Sequence, residues 1–269
     1  MSITRNRLKI HREAKKALNS LCENPEMTLI IHYSCENLFE LNKGQTPRIT
    51  SIAVKHFQTG QSYSFSIHTE AELNNIPFDK ISDKYPELEK SMLKKYFKFV
   101  KEHLKFKWVH WNMRNLNFGF ESLENRYKVL GGKKIHSIPS GYRYDLSKLL
   151  IEKYGDNYIT HQRLYNVVKL NDITDKHLLK GEEEAIAFSD KEYFKLHQST
   201  LRKVDIFDTI LRKNYTGNLK TKSSFIQIYG LTPQGIYELI KDVWIWNLIA
   251  TLIILFIGVV LGIFLEQLF

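Results

Sequence analysis

Residues 243–265 read VWIWNLIATLIILFIGVVLGIFL, 23 residues without a charged side chain. At about 1.5 Å of rise per residue, a helix of that length crosses the roughly 30 Å hydrocarbon layer of a bilayer with a little to spare. Asn247 and Thr251 are its only polar members. Trp244 and Trp246 stand at its leading edge, where indole rings favour the headgroup boundary, with Lys241 just outside. A buried core helix is the competing reading, but such helices seldom run this long without a charge. The run divides the chain into a water-soluble body and a membrane anchor.

The side of the membrane follows from what precedes the run. The opening, MSITRNRLKIHREAKKALNSL, is basic and amphipathic and has no apolar stretch that would serve as a signal peptide. A mitochondrial presequence is the rival reading, against which Glu13 and the absence of Ser/Ala richness count. With positive charge ahead of the span, the expected topology is a single-pass tail anchor, the large N-terminal body cytoplasmic and residues 266–269 on the far side. Membrane lipid is therefore an expected partner. Gly258 and Gly262 form a GxxxG, whose small residues let two helices approach closely, so a homodimer through them is a second expected partner. Thr232 as N-cap and Pro233 at the first helical position predict one long helix running into the membrane.

The soluble part is set by composition. With 43% hydrophobic residues the chain can bury one sizeable core. Its two cysteines, Cys22 and Cys35, form no CxxC and no Cys/His ladder, which argues for a reducing compartment and against a disulfide framework or structural zinc. The net charge is +10, and Glu266 is the only charged residue after Asp242, so the soluble part is more basic still. A basic surface attracts nucleic-acid phosphates and anionic lipid headgroups alike, and sign alone leaves both open. There is no P-loop, dinucleotide Gly-rich turn, HExxH or serine nucleophile elbow.

Hydrophobic periodicity predicts strands at 27–33, 48–57, 61–68 and 106–111, the second and third joined as a hairpin through Gln58-Thr59-Gly60. Helices are predicted from Pro86 to about residue 104, at 118–130 with Gly131-Gly132 as its stop, at 146–153 and 162–170, and at 182–211 with a break near His197. The segments are a basic amphipathic helix at 1–26, one domain at 27–213, a linker at 214–232 and the anchor helix at 233–269. The expected fold is α/β, a ribonuclease H-like mixed sheet flanked by helices, plus one C-terminal transmembrane helix.

The stretch KKYFKFVKEHLKFKWVHWNMRNLNFGFESLENRYKVLGG at 94–132 resembles the DEDD exonucleases, the family of the bacterial proofreading subunit. Their pattern is a helix, an apolar strand ending in His-Asn, and Asp-x-Gly-Phe opening a helix. His110, Asn112, Gly119, Phe120 and Leu130-Gly131 fall in its places with one residue inserted. Ser34-Cys35-Glu36 takes the place of the family's first Asp-x-Glu, Tyr144-Asp145-Leu146 that of its Asp-Thr-Leu helix, and HLLKGEEEAIAF from His177 that of its last His and Asp-Ala. The resemblance covers about residues 27–213.

In that family four carboxylates hold two divalent ions about 3.5–4 Å apart. Here the four places read Ser34, Glu36, Asn117 and Glu184, and neutral Ser and Asn oxygens bind Mg²⁺ far more weakly than carboxylates. Asn115, Asp145, Glu182 and Glu183 are the other oxygen donors nearby, and His32 also lies close. The resemblance thus implies a catalytically inactive domain, a pseudoenzyme without a cofactor. Glu36, Glu184 and His177 are what is left of its catalytic set, and His110, Asn112, Asn117 and Ser34 line its substrate cleft. Nucleic acid or protein is the expected partner at the cytoplasmic membrane face. One alternative is an active 3′–5′ exonuclease holding Mg²⁺ or Mn²⁺ through Glu36 and Glu184; another is a membrane scaffold assembling through its span. Tyr33, Trp108, Trp111 and Phe118 are candidates for base stacking, whereas Lys133-Lys134 and Arg202-Lys203 read as solvated faces.

Overall fold

The computed structural model describes residues 3–37, 45–114 and 117–266. Strand β1 (Thr28–Cys35) is buried along almost its whole length, as a strand covered on both faces must be. It pairs antiparallel with β2 (Ile49–His56), which pairs antiparallel with β3 (Ser62–Ser66). On its other side β1 pairs parallel with β4 (Lys107–His110), and β4 with β5 (Arg143–Asp145). The described residues thus give a mixed sheet in the order β3-β2-β1-β4-β5. β3 alternates exposed and part-buried residues, leaving one wet face at the edge.

Alternate residues of β1 feed two apolar layers. Leu29, Ile31 and Tyr33 pack beneath α3 (Tyr85–Glu102) and α4 (Phe120–Val129). Ile30 faces α1 (Ile3–Glu23), α5 (Leu146–Tyr154), α6 (Arg163–Leu170) and α8 (Tyr193–Tyr215). The N-terminal helix α1 is part of this second layer, with Leu18 and Leu21 fully buried.

Four departures from the sequence reading have local causes. The third strand stops at Ser66, and residues 67–68 open a short helix, α2 (Ile67–Leu73), whose Glu70 is buried and held by Lys95 at 2.6 Å. The helix expected from residue 118 starts at Phe120, because Gly119 is fully extended as its N-cap. The break placed near His197 falls instead between α7 (Gly181–Ser189) and α8, where Lys191 takes a left-handed φ of 59°; His197 is buried inside α8. Residues 214–232 carry a short helix, α9 (Phe225–Tyr229), whose Ile228 and Tyr229 pack against Leu8.

The single long helix expected from Pro233 is two. Helix α10 (Pro233–Asp242) starts at Thr232 as predicted, the threonine hydroxyl accepting from the Gly235 N–H at 3.2 Å. It ends at Val243, which is extended, and α11 (Trp244–Glu266) follows. Asp242 causes the break: it is tied to Lys15, to His11 Nε2 at 3.1 Å and to the Tyr229 hydroxyl at 3.1 Å. Helix α11 is long and apolar enough to cross a membrane, with mean hydropathy 2.5 over Ile245–Ile263 and none of that stretch buried. The expectation for 266–269 falls largely outside the described residues, as does Asn115.

Candidate functional site

Strands β1, β4 and β5 end on one edge of the sheet, where α/β folds open a crevice beyond the carboxyl ends of their strands. Ser34, near the end of β1, donates from its hydroxyl to Glu184 Oε1 at 3.1 Å. It also lies 2.8 Å from Thr200 Oγ1, itself 2.7 Å from Ser51 Oγ. Ser199 donates to the same carboxylate oxygen at 3.1 Å. On the other oxygen sits the Lys203 ammonium, at 2.7 Å.

Lys203 was expected on a solvated face, and the structure corrects this: it is 7% exposed. An ammonium in such a place is stable only beside a carboxylate. The signal was present in the sequence. Leu196, Ser199, Thr200, Lys203, Val204 and Phe207 recur at three- and four-residue spacing along α8, so Lys203 shares the face of core residues.

Glu36 lies just past β1. Its two carboxylate oxygens accept from the Arg48 backbone N–H and from Arg48 Nε, each at 2.7 Å. Glu36, Ser34 and Glu184 nonetheless line one cavity of about 220 Å³, together with Phe118. Asn117 stands beside it in the chain, its carbonyl accepting from the Ser122 hydroxyl at 3.2 Å.

The remaining candidates are not drawn into that group. His110 is 3% exposed at the end of β4; its Nδ1 accepts from the Met113 N–H at 3.2 Å and its ring meets Phe120 edge-on at 5.3 Å. Burial lowers its pKa, and the opposing pull of Asp145 does not restore it, so the imidazole is neutral and packed rather than aimed at a ligand. His32 is likewise buried, and its pKa is held well below the ordinary value by desolvation first and by Lys203 second. Asn112 is exposed in the left-handed region that Asn tolerates, φ 57°, with its N–H donating to Asp145 Oδ1 at 3.2 Å and its side-chain oxygen accepting from Arg114 at 3.0 Å. Asp145 caps α5 by accepting from the N–H groups of Ser147 and Lys148. His177 is exposed in the turn before α7, also left-handed at φ 67°, and among the described residues no hydrogen bond ties it to Glu184.

The stacking expectation is largely overturned. Tyr33 and Trp108 are wholly buried, and the Tyr33 hydroxyl accepts from the Gly119 N–H at 2.9 Å. Trp111 is stacked on Phe207 at 5.7 Å. Apolar aromatics at the ends of central strands serve the core here. Half-buried Phe118 stacks on Tyr33 at 4.5 Å and reaches the cavity.

A second crevice of about 590 Å³ adjoins the first, and Gly181 and Glu182 line both. Arg114, Arg163, Tyr165, Lys180 and Lys203 border it, with the Lys180 ammonium 4.3 Å over the Tyr165 ring. Among the described residues, no three His, Cys, Asp or Glu side chains converge in a way suited to a metal ion. No protein-family model matches the chain, and neither does any curated protein or solved structure.

Proposed function

We propose that this chain is a membrane-anchored, exonuclease-like domain of ribonuclease H-like architecture that does not hydrolyse its ligand and instead binds nucleic acid in the crevice beyond β1 and β4, at the cytoplasmic face. One observation carries the reading: both carboxylates left in the family's four places already have cationic protein partners, Glu184 the Lys203 ammonium and Glu36 the Arg48 guanidinium. A two-metal centre needs acidic oxygens free to take cations. With a lysine on one acid, an arginine on the other and hydroxyl or amide groups elsewhere, the residues present do not suit a pair of Mg²⁺ or Mn²⁺ ions.

The architecture is supported by strand order, an antiparallel β1-β2-β3 meander followed by parallel β4 and β5, which is the layout the resemblance implies. A nucleic-acid ligand is supported by the second crevice, which Arg114, Arg163, Lys180 and Lys203 line; Asp145, Asp156 and Glu184 pair with three of these cations, and Lys180 over the Tyr165 ring is left to meet a phosphate or a base. The anchor is supported by α11.

The test uses the full chain in nanodiscs of neutral lipid with end-labelled single-stranded DNA and RNA and added Mn²⁺. Binding that weakens as salt rises, with the label retained, is the expected result. Replacing Arg163 and Lys180 by Glu together weakens it about tenfold or more, as removal of phosphate contacts does. Release of label that vanishes in Glu36→Ala returns the domain to the enzymes. Absence of binding at physiological salt removes the nucleic-acid reading and leaves a scaffold assembling through Gly258 and Gly262.

A further inference from the structure

The base of the anchor and a lysine-lined groove lie at the same end of the sheet, opposite the crevice. Helix α5 begins directly after β5, and its last turn meets the C-terminal end of α8, where Lys153 donates to Asn214 Oδ1 at 2.9 Å; Arg212 nearby donates to the Phe57 carbonyl, and the Phe57 N–H to the Thr28 carbonyl at the start of β1. At the same end of α5, Arg7 of α1 donates to the carbonyls of Glu152 and Lys153, and His11 Nδ1 lies 2.7 Å from the Lys153 carbonyl. That is the neighbourhood in which His11 and Lys15 hold Asp242, one residue short of the link into α11. On the other face α3 runs in the same direction. Its Glu89 accepts from the Ile49 N–H beside the end of β1, and its C-terminal end leads into Lys107 at the start of β4. Lys98 and Lys101 therefore sit at the anchor's end of the molecule.

These two lysines and Lys94 form one wall of a groove of about 680 Å³, and Lys133, Lys134 and His136 form the other. Its wall of α3 also carries Lys95, whose ammonium is engaged by Glu70, and no carboxylate among the described residues lines it. The two walls meet because of Gly132. A Cβ there would stand 2.6 Å from the Tyr127 ring, so only glycine lets the chain cross that ring and lay the lysine pair along α3. The floor, Phe97 stacked on Tyr127 at 5.0 Å, is buried and offers no ring face to a nucleobase. The charge the groove presents is positive, set among the apolar stems of its lysines and the edges of its floor, at the end of the body from which the anchor departs.

We propose that this groove docks the soluble body on the anionic lipid headgroups of the bilayer that α11 enters. The proposal rests on α11 being a membrane span. Docking in this way turns the crevice at the opposite edge of the sheet toward the aqueous side. Phosphate and carboxylate headgroups are the matching chemistry, and each lysine brought to an anionic surface strengthens the contact about fivefold.

The experiment reconstitutes the full chain in vesicles of phosphatidylcholine alone and of phosphatidylcholine with phosphatidylglycerol. It reads amine-labelling rates at Lys94, Lys98, Lys133 and Lys134, with flotation after an alkaline wash as the measure of insertion. Labelling is expected to slow at least about fivefold at these lysines in the anionic vesicles only, to recover at high salt, and to leave Lys180 at the crevice unchanged. In a Lys94→Glu, Lys98→Glu, Lys133→Glu, Lys134→Glu variant, the anionic lipid should no longer protect Lys101. Equal labelling in both lipids, with the chain still floating, overturns the docking surface and leaves the anchor intact. A chain that does not float overturns both. Protection by an added single-stranded oligonucleotide in neutral vesicles, with none from anionic lipid, overturns the proposal and assigns the groove to nucleic acid.

Discussion

Lys203 and Glu184 form the polar pair on which the reading of the site turns, and their energetics are open to direct measurement. Lys203 is buried and Glu184 half-buried, so removing the carboxylate strands the ammonium and removing the ammonium leaves the carboxylate poorly solvated. Lys203→Met is expected to cost about 3 kcal/mol in urea unfolding of the full chain in micelles, and the added change Glu184→Gln should recover part of that loss. A single variant as stable as the parent would mean that the pair is hydrated and its geometry uninformative. The buried histidines give a second residue-level expectation. His68 and His197 lie 3.3 Å apart, and burial together with this neighbour brings His197 down to about 4 from 6.5. His32 and His110 are lowered too, chiefly by burial. Because folded-state values lie below the unfolded one, the unfolded chain binds more protons between about 4 and 6.5. Stability is full above that window and is lost as pH falls through it. The thermal midpoint should therefore drop steadily between pH 7 and pH 5; a midpoint indifferent to pH would show these imidazoles to be solvated.

Helix α10 is fixed less by its own sequence than by what holds its last turn. Burial alone would raise the pKa of Asp242, but hydrogen bonds from His11 and Lys15 overcome this and hold the carboxyl well below the ordinary range. Its contribution is complete above the ordinary carboxylate range and disappears as pH falls through the lower folded value. Asp242→Ala should accelerate amide exchange in α10 and around residues 11–15 of α1 while leaving the sheet amides unchanged; uniform acceleration would instead point to a global loss of stability. This element also shows where sequence reading stops. The start of α10 was legible because Thr232 and Pro233 signal locally, and β1, α3 and α5 were legible because their apolar spacing matches a strand or helix period. The end of α10 was not, since neither proline nor glycine marks Val243 and the cause lies more than 200 residues away in α1. The candidate site divides in the same way. Ser34 and Glu184, both singled out from the sequence, meet in a hydrogen bond, but the capture of Glu36 by Arg48 and of Glu184 by Lys203 depends on tertiary contacts that no local pattern carries.

At the scale of the whole molecule, the sheet has two ends with different chemistry. Beyond the carboxyl ends of β1 and β4 lies a crevice in which Glu184 and Glu36 are already paired with cations; at the other end are the base of α11 and the lysine groove. The link between α10 and α11 is short. Between α10, clamped to α1, and α11 there is one extended residue, Val243, with two soft backbone torsions. A body hung from a long flexible tether sweeps a broad volume above its membrane and meets ligands at any angle. One joined through a single residue is held at nearly fixed height, and with α11 in a bilayer its two torsions let the body tilt in place without ever leaving the surface.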